Sequence, residues 1–130
     1  MDEQVLPVRS VTFKEAIVLF FSQYATFSGR ATRKEYWYAI LFTMIVAAVL
    51  GAIPSYEKLP IIGILRAIFA WGTLIPTWAV AVRRLHDAGK SGWNMLFHLI
   101  PLLGSVMVLL LLCRGSEEDN DYGPKKVAQP

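Results

Sequence analysis

The segment "RRLHDAGKSGW", residues 83–93, gathers two arginines, a histidine, an aspartate and a lysine between two long apolar runs. Three chemistries could use such residues. The run "AGKS" resembles the end of a phosphate-cradling P-loop, but that loop needs a glycine where Arg84 stands and a buried strand leading into it. His86 and Asp87 are an acid–base pair only on paper, because neighbours in sequence point about 100° apart on a helix. A metal needs more ligands than His86, His98 and scattered carboxylates supply. No serine nucleophile with a supporting turn is visible, and Cys113 is the single cysteine, so neither a disulfide framework nor a thiolate metal site is expected. The residues point to no catalytic group, no metal and no cofactor.

Anion binding fits better. "SGRATRKEYW", residues 28–37, carries a second set of charges. If both segments lie at one membrane face, Arg30, Arg33, Lys34, Arg83, Arg84 and Lys90 face only Glu35 and Asp87. With His86 among them, these cations are candidates to hold anionic lipid headgroups or an acidic partner segment. Glu35 and Asp87 are expected to form structural ion pairs with the arginines. The blander reading is a topology anchor, since basic residues commonly flank membrane spans on the cytoplasmic side.

The elements that would position these charges are helices. Apolar residues make up 55% of the 130-residue chain, and the charges are segregated to the ends of the apolar runs. Residues 36–53 carry no ionisable side chain except tyrosine, 67–82 carry none, and 95–113 only His98. Such runs predict an all-α membrane protein of one domain, residues 1–130, with spans at 36–53, 61–82 and 94–113. Thr12 with Glu15, and Thr32 with Glu35, have capping-box spacing and mark helix starts. Residues 12–27 read as an amphipathic helix, too short and too polar to span. Pro54 and Pro60 bracket a turn. Pro76 removes a backbone donor inside the second span, and Arg66 lies near that span's start. Residues 114–130 form a polar tail.

Lysine and arginine placement puts the N-terminus and the 83–93 loop in the cytoplasm. Three spans would then send the tail, with Arg114, Lys125 and Lys126, to the opposite side. No basic stripe with interleaved aromatics points to nucleic acid.

"FSGRATRKEYWY", "RRLHDAGKSGW", "IPLLG" and "NDYGP" together resemble the bacterial inner-membrane proteins grouped as domain of unknown function 805. The resemblance covers roughly residues 12–124. It includes Gly29, Arg30, Arg33, Glu35, Trp37, Arg83 to Asp87, Gly92, Trp93, Pro101, Gly104, Asn120, Tyr122 and Gly123. It implies a multi-pass protein of the bacterial cytoplasmic membrane, and a role for the RRLHD segment beyond topology. A generic anchor needs lysines and arginines, not His-Asp.

The expectation is a non-enzymatic membrane protein whose basic cytoplasmic face binds lipid headgroups or an acidic partner. The alternative is a small oligomeric transporter or channel component, for which Arg66 and Pro76 speak. Membrane lipids and a homo-oligomer or membrane-protein partner are the expected contacts.

Overall fold

The computed structural model describes residues 11–54 and 60–123. Most of the turn between Pro54 and Pro60, Arg9 and the tail beyond Gly123 lie outside them. The described residues form helix α1 (Phe13–Ser22), α2 (Arg33–Ala52), α3 (Ile61–Asp87), a 3-10 helix (Gly92–Leu99) and α4 (Leu103–Leu112).

Both capping boxes begin helices. Thr12 Oγ1 accepts the Glu15 amide at 3.2 Å, and Thr32 Oγ1 accepts that of Glu35 at 3.3 Å. Each satisfies one of the amides that a helix start leaves without a partner. α1 ends at Ser22, earlier than the periodicity predicts. It buries Ala16 and Phe20 and packs edge-on against α2 through Phe20 and Phe21 on Phe42 and Phe13 on Tyr38.

α2 and α3 are the two helices long and apolar enough to cross a membrane. At about 1.5 Å per residue, the 20 residues of α2 match a ~30 Å hydrocarbon core and the 27 of α3 exceed it. Only 6% of the most apolar stretch of α3 is buried in the protein, so its greasy surface is not that of a soluble core helix. Met44, Val49, Ile64, Ile68 and Trp71 all point outward.

Two side chains repair breaks in backbone bonding. Pro76 has no N–H to offer the carbonyl of Gly72, one turn earlier. The Tyr24 hydroxyl donates to that carbonyl instead. Arg66 donates to Leu50 O at 2.9 Å and also to Gly51 O and Ile53 O, satisfying carbonyls that the end of α2 leaves open.

The expected third span is not one helix. Residues 94–113 fall into the 3-10 helix and α4, joined by a turn over Ile100–Leu102. Pro101 cannot continue the donor ladder, and Leu102 takes a left-handed φ of 61°. Gly104 then lets α4 fold back, since a Cβ there would stand 1.7 Å from Phe97 O. Eight residues at ~2.0 Å and ten at ~1.5 Å give two arms of roughly 15 Å, half a bilayer core each. The hairpin returns to its starting level: Leu112 O accepts Arg84 Nε at 3.0 Å beside the end of α3.

Tyr24→Phe removes the one donor that answers Pro76. In an apolar setting the orphaned carbonyl should cost about 1–3 kcal/mol. Thermal unfolding in mild detergent is expected to show a lower midpoint for the variant than for the wild type, and an unchanged midpoint would contradict this role.

Candidate functional site

α3 ends in the sequence Arg83-Arg84-Leu85-His86-Asp87, all buried, and nothing about an isolated helix would bury them. The covering comes from two segments distant in sequence. Residues 29–32 approach from one side, with Ala31 N donating to Arg83 O at 2.9 Å. The tail crosses the other side, with Glu117 N donating to Asp87 O at 2.7 Å. Gly89 makes the exit from α3 with a φ of 77°, and a Cβ there would collide with the Glu117 carboxylate.

Asp87 is the hub. Its Oδ1 accepts Arg30 Nε at 2.9 Å; its Oδ2 accepts Arg84 Nη1 at 2.5 Å and the Ser116 hydroxyl. All three charged side chains are at most 3% exposed. A buried ion pair is stable only when its remaining donors are also satisfied. Here they are. Arg30 donates further to the carbonyls of Asp87, Glu117, Glu118 and Gly123. Arg84 donates to those of Leu112, Ala31 and Arg114. A guanidinium has five N–H bonds in a rigid plane, which a lysine cannot reproduce. The carbonyl end of α3 adds a favourable negative dipole beneath the arginines.

Arg83 takes a separate route into the protein. Its Nη1 lies 3.8 Å from Glu35 Oε1, and its Nε donates to Ala79 O at 3.4 Å. Its terminal nitrogens reach no hydrogen-bond acceptor among the described residues.

His86 points away from Asp87 and forms no dyad with it. Its Nδ1 donates to Gly29 O at 2.9 Å, so the neutral ring carries its proton there and Nε2 is left as an acceptor. The ring stacks on Tyr122, centroids 3.9 Å apart and planes within 2°. The tail turn presents that tyrosine. Asn120 and Gly123 exchange backbone hydrogen bonds, Asn120 Oδ1 accepts the Tyr122 amide, and Asn120 Nδ2 donates to His86 O at 3.0 Å.

The expected headgroup candidates therefore separate. Arg30, Arg83 and Arg84 are interior, and Arg30 and Arg84 have their donors engaged by the chain's own oxygens. Arg30 and Arg84 tie the tail to α3 and spend their donors there, whereas Arg83 lies against Glu35. Arg33 is exposed at the start of α2; Lys34 and Lys90 are half-buried at the rim of the same end. His86 is interior and lines a cavity. Sequence reasoning missed Ser116 and the carbonyls of residues 112–123 as partners. The assumed third span placed them across the membrane. Pro101, midway along the run with Gly104 close behind, was the signal of a returning hairpin. Among the described residues, no three of histidine, cysteine, aspartate and glutamate cluster as a metal site.

The architecture can be set beside known proteins. The model of a protein family described as "Protein of unknown function (DUF805)" matches residues 24–124, from the tyrosine that answers Pro76 to the end of the tail turn. The chain belongs to the DUF805 family. Among relatives, it is 38% identical to inner membrane protein YhaH of Escherichia coli (strain K12) over 111 residues, 82% of this chain and 92% of that protein. It is 39% identical to inner membrane protein YhaI of the same strain over 102 residues, 77% of this chain and 85% of that one. No solved structure matches it.

Asp87→Asn leaves two buried guanidinium groups without their counter-charge. Breaking such a pair typically costs about 3–5 kcal/mol. The tail should then open often enough for trypsin to cut after Arg114, and limited proteolysis is expected to show cleavage at least ~100-fold faster than in the wild type. Arg30→Lys should open the tail as well, because a lysine cannot serve five acceptors in one plane.

Proposed function

We propose that this DUF805 member is a non-enzymatic, multi-pass protein of the bacterial cytoplasmic membrane. It spans the bilayer with α2 and α3 and dips the 3-10/α4 hairpin into the cytoplasmic leaflet. Its basic cytoplasmic rim holds anionic lipid headgroups. The observation that carries this reading is the return of the tail to the arginine end of α3. With two spans and a re-entrant hairpin, the N-terminal segment, the 83–93 loop and the tail share one side. Every lysine and arginine except Lys58 and Arg66 then belongs to that side. So consistent a bias favours the cytoplasm. It also accounts for Arg114, Lys125 and Lys126, which a three-span arrangement would strand outside. The inner-membrane names of YhaH and YhaI agree with this location.

The headgroup role falls to the rim, Arg33, Lys34 and Lys90, rather than to the internal arginines. Basic side chains near an anionic leaflet each contribute about 1 kcal/mol. The transporter reading loses one of its supports, because Arg66 donates to the end of α2 rather than facing a pathway.

Two measurements test the proposal. A reporter fused after the tail should be active in its cytoplasmic form, as fluorescent protein rather than as periplasmic phosphatase; the reverse would sink the two-span arrangement. Arg33→Gln/Lys90→Gln should reduce enrichment of phosphatidylglycerol over zwitterionic lipid about thirtyfold in native mass spectrometry. Equal enrichment in variant and wild type would dismiss the rim, and would leave an acidic protein segment as the partner to look for.

A further inference from the structure

Beside the His86–Tyr122 stack lies a cavity of about 480 Å³, a size that suits a small ligand or part of a lipid. Its walls are largely apolar, with Trp78, Val82, Met95 and Leu96 among them, and His86, Ser91 and Tyr122 bring polar side chains to it. Ser91 Oγ accepts the Trp93 amide at the start of the 3-10 helix. Gly29 O fixes the proton of neutral His86 on Nδ1, so the other ring nitrogen, Nε2, is an acceptor.

The 3-10 helix supplies the rest of the site. In this helix residues three apart eclipse one another, so Trp93, Leu96 and Leu99 stand in one straight row. They are 78%, 50% and 79% exposed. Trp93 and Leu96 line the cavity, and Leu99 extends the row beyond it, away from the end of α3. An α-helix of the same sequence would fan these three side chains around its surface. Eight residues is long for a 3-10 helix, and the row is what that geometry provides. From Trp93 to Leu99 it covers about 12 Å, close to the depth of one leaflet's hydrocarbon.

We propose that the cavity and row hold one phospholipid of the cytoplasmic leaflet, with an acyl chain along Trp93, Leu96 and Leu99 and a hydrogen-bond donor of the headgroup on His86 Nε2. The selectivity lies in that acceptor. Headgroups with an ammonium or hydroxyl donor satisfy it, and a quaternary choline cannot. The site is separate from the basic rim, and it rests on the reading that the hairpin lies in the cytoplasmic leaflet.

The test is native mass spectrometry of the full chain in mild detergent with equimolar phosphatidylethanolamine and phosphatidylcholine. Both have zero net charge, so the rim does not distinguish them. Wild type should retain phosphatidylethanolamine about fivefold better, the contribution of one hydrogen bond. His86→Phe keeps a ring over Tyr122 but removes the acceptor, and should abolish that preference. Leu96→Trp fills the cavity from a half-exposed position and should lower retention of both lipids, so it decides the matter even if the His86 variant fails to fold. Equal retention of the two lipids by wild type overturns the proposal. So does a preference that persists in a folded His86→Phe variant, or undiminished retention by Leu96→Trp. In the Arg33→Gln/Lys90→Gln background, phosphatidylglycerol against phosphatidylethanolamine then tells a hydroxyl donor from an ammonium. A charge preference that persists in that background would count against the rim and leave the cavity standing.

Discussion

The pairing of Asp87 with Arg30 and Arg84 at the end of α3 is the interaction on which the surrounding architecture depends. One carboxylate at the last residue of α3 neutralises charge from two segments, and the carbonyls around it absorb the donors that remain. Deleting any member leaves a buried charge without its partner, which is far more costly than never having built the pair. The cluster is therefore better understood as a fastening than as a store of stability. It specifies that residues 29–32, the end of α3, the end of α4 and the tail meet at one place.

The lengths of the helices explain how charges come to be buried so close to a bilayer. α3 has 27 residues, more than a ~30 Å hydrocarbon core requires, so across a bilayer its last two turns would reach the headgroup region. There the tail and residues 29–32 provide the polar surroundings that lipid cannot. At the other end, Arg66 closes the carbonyls of α2. Within the span, Tyr24 answers the carbonyl that Pro76 abandons. Both of these breaks in regular backbone bonding are met by a side chain from elsewhere in the chain, as an environment without water would demand.

Helix content, both capping boxes and the two helices long and apolar enough to cross a membrane could be read directly from residue types and spacing. Those signals are local, set by hydrophobic runs and turn chemistry. The hairpin was harder because its signals conflict. A dozen large apolar residues between Asn94 and Cys113 outweigh one proline on any hydropathy argument, yet Pro101, Leu102 and Gly104 together reverse the chain. From that single reversal the other differences follow. With the tail returned to the arginines, Arg30 and Arg84 change from surface cations into internal donors. Asn120 and Tyr122 change from distant residues into direct neighbours of His86.

The fastening also imposes an order on biogenesis. Arg30 leaves the ribosome first, Arg84 and Asp87 after it, and the carbonyls of residues 117–123 later still. Until residues 112–123 have emerged, the two arginines have only Asp87 and the Ala31 carbonyl to meet, and their other donors must stay hydrated. Lysine and arginine in that state are what hold a nascent loop on the cytoplasmic side during insertion. The same guanidinium groups thus pass through two settings in the life of one molecule, first facing water and later sealed inside the protein.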